Sequence, residues 1–179
     1  MWIIRRPHEG RNAQNKISES RNTGLEKSLL LLVICGSALL PFLHLLFGIF
    51  AFANFEAPLF LSTAGIGFTY LGLWLFYRSH ADLGRNWSVT LEVHEEHNLI
   101  DSGVYRRIRH PMYSAIFLLT IAQGLLLQNW LAGWVGLISF LILYLGRVRK
   151  EEAMMRDLFG EAYAKYCART GRVFPKLKG

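Results

Sequence analysis

Charge is missing from long stretches of this chain. Residues 28–53 contain no Asp, Glu, Lys or Arg, Pro58–Tyr77 contains none, and 114–146 contains none. A soluble chain of 179 residues distributes charge along every element that meets water, so apolar blocks of this length exclude an ordinary soluble domain. The first two blocks match the roughly 20 residues that a helix needs to cross a bilayer. Cysteine is scarce as well. Cys35 and Cys167 stand far apart and outside any C-x-x-C pattern, which excludes a disulfide scaffold and a cysteine zinc site. A cleavable leader is not expected, because residues 1–27 are polar and the first apolar run is too long for a typical signal core.

What charge there is falls in three places. All 20 Lys and Arg residues lie within 1–27, 78–109 or 147–179, while the connections at 54–57 and 128–130 have none. The net charge of +7 is therefore a topological signal, the positive-inside pattern, and not a footprint for nucleic acid. The region Met112–Gly146 is too long for one span and is interrupted by Gln128, Asn129 and Trp130, so it reads as a hairpin of two helices. The expected fold is an all-α integral membrane protein with about four transmembrane helices at 28–53, 58–77, 112–127 and 130–147. The last two form a re-entering hairpin, and both termini face the cytosol. Residues 1–27 are expected to be a mobile basic tail, and 28–179 a single domain with a binding loop at 78–111 and an amphipathic helical C-terminal segment at 148–179. Gly65, Gly67 and Gly72 are expected to allow close helix packing, and Gly160 to break the C-terminal helix.

The hairpin brings polar chemistry together at its two ends. Arg109, His110 and Tyr113 open the third apolar helix, with Pro111 suited to its first turn. Arg147, Glu151 and Glu152 follow the fourth. Arg147 and Glu151 are one helical turn apart, on one face, while Glu152 points about 100 degrees away. A charge collar ending a membrane helix accounts for the second cluster alone; two clusters at the same depth favour a site. Carboxylates, cations and aromatic rings together suit a ligand like S-adenosylmethionine, with amino, carboxylate and sulfonium groups. His94 and His97 lack a third ligand at metal spacing, so no metal is expected.

The ordered series Leu83-Gly84-x-x-Trp87-Ser88, His97-x-Leu99-Ile100, Gly103-x-Tyr105-Arg106, Arg109-His110-Pro111-x-Tyr113, Glu151-Glu152, Phe159-Gly160-x-x-Tyr163-x-x-Tyr166 and Pro175 resembles the isoprenylcysteine carboxyl methyltransferase family and its phospholipid methyltransferase relatives. The resemblance spans roughly residues 80 to 175, and the short chain suggests a prokaryotic-type member in a cell's inner membrane. It implies a membrane methyltransferase using S-adenosylmethionine and releasing S-adenosylhomocysteine. It places His97, Leu99, Ile100, Tyr105, Arg109, His110, Tyr113 and Glu152 at the methyl donor, with Arg147 and Glu151 as catalytic residues near a lipophilic acceptor that enters from the bilayer. The implied acceptor is the carboxylate of an isoprenylcysteine-like substrate. A phospholipid amine, an alkyl thiol, an NADPH-dependent sterol-type reduction and a non-enzymatic membrane scaffold are the alternatives.

Overall fold

The computed structural model describes residues 17–20, 24–83, 92–94 and 99–176. Four helical elements dominate: α1 (Gly24–Phe47), α2 (Leu59–Leu83), α3 (Pro111–Leu127) and α4 (Val135–Arg169). A short antiparallel pair, β1 (Ile17–Ser20) with β2 (Glu92–His94), departs from the all-α expectation. It forms where the sequence alternates apolar and polar residues ahead of His94.

The chain divides into two compact units. One contains α1, most of α2, and the stretch Ala115–Val148; the other contains Leu75–Ser114 and Arg149–Gly179 together with the N-terminal residues. In the first, apolar side chains point outward. Within the most apolar stretches of α1 and α2, only 11% and 22% of residues are buried, and Leu31, Phe47, Leu59 and Tyr70 lie exposed. A soluble core helix would show the reverse. Length, composition and outward apolar surface together make α1 and α2 candidate membrane spans. The α3 helix is apolar but shorter.

Small residues set the packing of this unit. A Cβ at Gly65 would sit 2.9 Å from Leu126, and one at Gly72 would sit 2.9 Å from Leu119, so α2 and α3 pack at a distance only glycine permits. Gly67 faces open space and plays no such part. In α1, Cys35–Leu39 forms a π-turn, and Gly36 within it lies against Ser139 of α4. The α1 helix ends at Gly48, which takes a left-handed φ of 64°, earlier than the uncharged run extends.

The turn between α3 and α4 is longer than expected, and α4 begins at Val135 instead of 130. Asn129 is the reason. Its carboxamide oxygen accepts from the Leu131 and Ala132 amides, and its Nδ2 donates to the Phe50 carbonyl and to Asn54 Oδ1. This fully buried side chain satisfies backbone groups of two connections that would otherwise be orphaned in an apolar phase. Gln128 supports it from a positive φ of 49°, donating to Ser62 Oγ and accepting from the Ala57 amide.

Candidate functional site

The polar unit is built on the N-terminus of α3 and the second half of α4. Pro111 starts α3, where its missing N–H costs nothing. The chain before it, Arg107 to His110, is stitched to the C-terminal segment. The amides of Arg109 and His110 donate to the Gly171 and Arg172 carbonyls, and the Gly171 amide donates to Arg107. Ser114 Oγ donates to the Val173 carbonyl. The C-terminal residues thus run across the head of α3 as a strap, and α4 reaches that strap by turning at Gly160. Gly160 has φ 50° and ψ −123°, a conformation that residues with a Cβ rarely adopt.

Glu152 is the centre of the cluster, only 1% exposed. Arg172 grips its carboxylate with Nη2 at 2.6 Å and Nε at 3.0 Å. Arg109 donates to Oε1 from Nε and Nη2, both at 3.3 Å, and spends Nη1 on the carbonyls of Cys167 and Thr170. His110 Nε2 lies 3.5 Å from the same oxygen, outside good hydrogen-bond geometry, and Arg156 completes the ring of cations at 3.8 Å. Burial alone would push the Glu152 carboxyl up. The contacts and charge of His110 and Arg172 outweigh it and hold the group well below the usual carboxylate range.

Glu151 is the more open neighbour. It accepts from the Tyr113 hydroxyl at 2.8 Å and lies 3.6 Å from His110 Nδ1, with 19% of its side chain exposed. His110 therefore touches both carboxylates, one through each ring nitrogen, and stacks on Tyr113 with ring centroids 5.4 Å apart. Tyr105 is buried below. Its hydroxyl donates to the Ser79 carbonyl, and its own carbonyl accepts from Tyr166. Desolvation first, then the nearby Tyr166 and acidic groups, pushes the Tyr105 hydroxyl far up, so it stays neutral as a packing and hydrogen-bonding group. Asp82 at the end of α2 anchors the stretch before it, accepting from the Val104 amide and from Arg78.

Of the expected site residues, Arg109, His110, Tyr113, Glu151 and Glu152 come together in this unit. Leu99 and Ile100 are half-buried beside them in sequence, and His97 lies outside the described residues. Arg147 belongs to the other unit, where it pairs with Glu26 at 3.1 Å. Glu26 was expected in a mobile tail; α1 begins at Gly24, which places it in the helix's first turn. Arg172 and Thr170 escaped the sequence reading. The available signal was the basic residue shortly before the closing Pro175, but nothing local shows that the strap returns to Glu152.

The chain is similar to known proteins. The "Isoprenylcysteine carboxyl methyltransferase (ICMT) family" matches residues 57–157, more than half of the chain. A protein-S-isoprenylcysteine O-methyltransferase of Rattus norvegicus is 31% identical over 121 residues, 66% of this chain and 43% of the relative. One from Schizosaccharomyces pombe is 27% identical over 106 residues, 58% of this chain and 45% of the relative. The chain thus spans a little under half the length of these two relatives. A solved structure of the eukaryotic intramembrane Ras methyltransferase ICMT shares the fold, with a TM-score of 0.61 and 24% identity, covering 88% of this chain and 55% of the other. The chain belongs to the isoprenylcysteine carboxyl methyltransferase family.

Proposed function

We propose that this chain transfers a methyl group from S-adenosylmethionine to a lipophilic acceptor at the membrane, the carboxylate of an isoprenylcysteine-like substrate. Family membership supports the reaction class. The observation that carries the reading is the cluster around Glu152, where Arg109, Arg156 and Arg172 meet one buried carboxylate, while its neighbour Glu151 is held by Tyr113 and His110. Guanidinium groups gathered in this way suit the carboxylate of an amino-acid-like ligand. The buried Nε2 of His110, outside hydrogen-bond geometry, is a further group such a ligand can satisfy.

Bound S-adenosylmethionine supplies an electrophilic methyl on a sulfonium. Glu152 fixes Arg109, Arg172 and His110 in place, so that the cationic wall is formed before the ligand arrives. Tyr113 and His110 offer stacked rings for the ligand's flat and cationic parts. His97, Leu99, Ile100 and Tyr105 belong to the same proposed pocket. Arg147 holds the acceptor's carboxylate. That carboxylate is ionised at neutral pH and needs no base, which leaves Glu151 to align, or to deprotonate an amine or thiol acceptor. In this reading α3 and the first part of α4 complete four spans, both termini face the cytosol, and the acceptor's tail enters from the bilayer.

The test is incubation of membranes containing the chain with a labelled methyl donor and a farnesylated cysteine acid. Base-labile labelled ester is expected, and none from an Arg147→Ala variant whose affinity for S-adenosylhomocysteine is nearly intact. Label in a phospholipid amine or an alkyl thiol instead would redirect the acceptor, and binding of NADPH in place of S-adenosylhomocysteine would overturn the reaction class.

A further inference from the structure

Arg147 and Glu26 form a buried ion pair within the apolar unit, with 10% and 7% of their side chains exposed. The pair is loosely made. One nitrogen approaches one oxygen at 3.1 Å, and neither Glu26 oxygen accepts a well-formed hydrogen bond among the described residues. Charge holds these groups together, without the paired, parallel N–H···O bonds that an Arg and a carboxylate form when they meet fork to fork. A buried guanidinium keeps a counter-charge at all times, because an uncompensated ion at this depth is expensive. Glu26 sits in the first turn of α1, where the helix dipole also favours a negative charge, so its carboxylate has a resting place of its own when the Arg is taken.

We propose that Glu26 is a stand-in for the acceptor's carboxylate, which displaces it from Arg147. This inference rests on the methyl-transfer reading above. An incoming carboxylate exchanges one negative charge for another and can gain the bidentate contact that Glu26 lacks. A neutral amine, thiol or ester brings no charge and leaves Glu26 where it is. Methyl transfer forms an O–CH3 bond as the S–CH3 bond breaks with its electrons going to sulfur, and the acceptor becomes a neutral ester. The ester cannot hold Arg147 against Glu26, so the return of Glu26 expels the product. Glu26 is thus a specificity-determining residue that selects an anionic acceptor and rejects its methylated form.

The experiment uses the full chain in detergent without methyl donor and measures binding of a farnesylated cysteine acid and of its methyl ester. Glu26→Gln is expected to tighten the acid about tenfold, the loss of an internal competitor of modest strength, and to leave the ester unchanged. Glu26→Asp, which keeps the charge on a shorter stem, is expected to tighten the acid by a smaller factor and serves if the Gln variant does not fold. Acid affinity unchanged or weakened in these variants, while the wild type still methylates the acid, overturns the displacement and leaves the methyl-transfer reading standing. A wild type that neither binds nor methylates the acid removes that reading and this inference with it.

Discussion

Replacing Glu152 by Gln tests the centre of the polar unit. The substitution keeps the size of the side chain and removes a charge that is 1% exposed and contacted by Arg109, Arg172, Arg156 and His110. Removing one partner of a buried ion pair costs about 3–5 kcal/mol, because the remaining charge is left uncompensated. Two partners escape part of that cost: Arg172 is 46% exposed and Arg156 58%, so water re-solvates both. Arg109, at 10% exposure, does not escape. The lower end, about 3 kcal/mol, is the expected loss, equivalent to a fall of roughly 6–12 °C in melting temperature for a chain of this size.

The pH dependence distinguishes the two proteins. The Glu152 carboxyl is held below its ordinary value near 4.5, so the stability it contributes is full above that value and declines as pH falls beneath it. The Gln variant lacks this acid-side decline. Melting in detergent from pH 7 to pH 3 reads both effects. A variant that melts within 2 °C of wild type at pH 7, or that shows the same acid slope, would refute the role of Glu152 as the counter-ion of the cluster. Affinity for S-adenosylhomocysteine is expected to fall with it, since the cationic wall loses its anchor.

Tyr113→Phe removes the hydroxyl that donates to Glu151 at 2.8 Å. Because Glu151 keeps contact with water, the cost in stability is expected to be about 1 kcal/mol, with a clear fall in methylation rate; an unchanged rate would separate Tyr113 from the reaction. Gly160→Ala meets no neighbour within 4 Å, so any loss comes from backbone strain alone at φ 50°; about 1–3 kcal/mol is expected by thermal melting, and no shift would show that α4 can turn without glycine. Gly36→Ala puts a Cβ 2.5 Å from Ser139 Oγ and 3.0 Å from the Val135 carbonyl. A loss of about 1–3 kcal/mol is expected, partly restored by Ser139→Gly; full stability in the single variant would mean that α1 and α4 do not pack this tightly.

The sequence by itself determined the membrane character and the polar residues that flank its apolar runs. Uncharged runs cannot be solvated, so 28–53 and 58–77 announced helices in lipid, and the helical turn between Arg147 and Glu151 followed from geometry alone. Pro111 and Gly160 marked a start and a break because proline's missing N–H suits a helix's first turn and glycine adopts backbone angles closed to residues with a Cβ. Helix ends were less legible. Hydropathy does not stop where a left-handed Gly48 ends α1, nor at Asn129, whose side chain bonds Phe50 and Asn54, distant in sequence.

Only the tertiary structure decided who pairs with whom. Glu151 and Glu152 are adjacent and chemically identical, yet one is enclosed by guanidinium groups and the other meets a tyrosine and water. That division arises from the strap 170–174, which returns Arg172 to Glu152 through backbone hydrogen bonds that leave no local pattern. Likewise nothing around Glu26 in the sequence points to Arg147; the pair exists because α1 lies within reach of α4, and a buried charge must find its opposite wherever the fold supplies it.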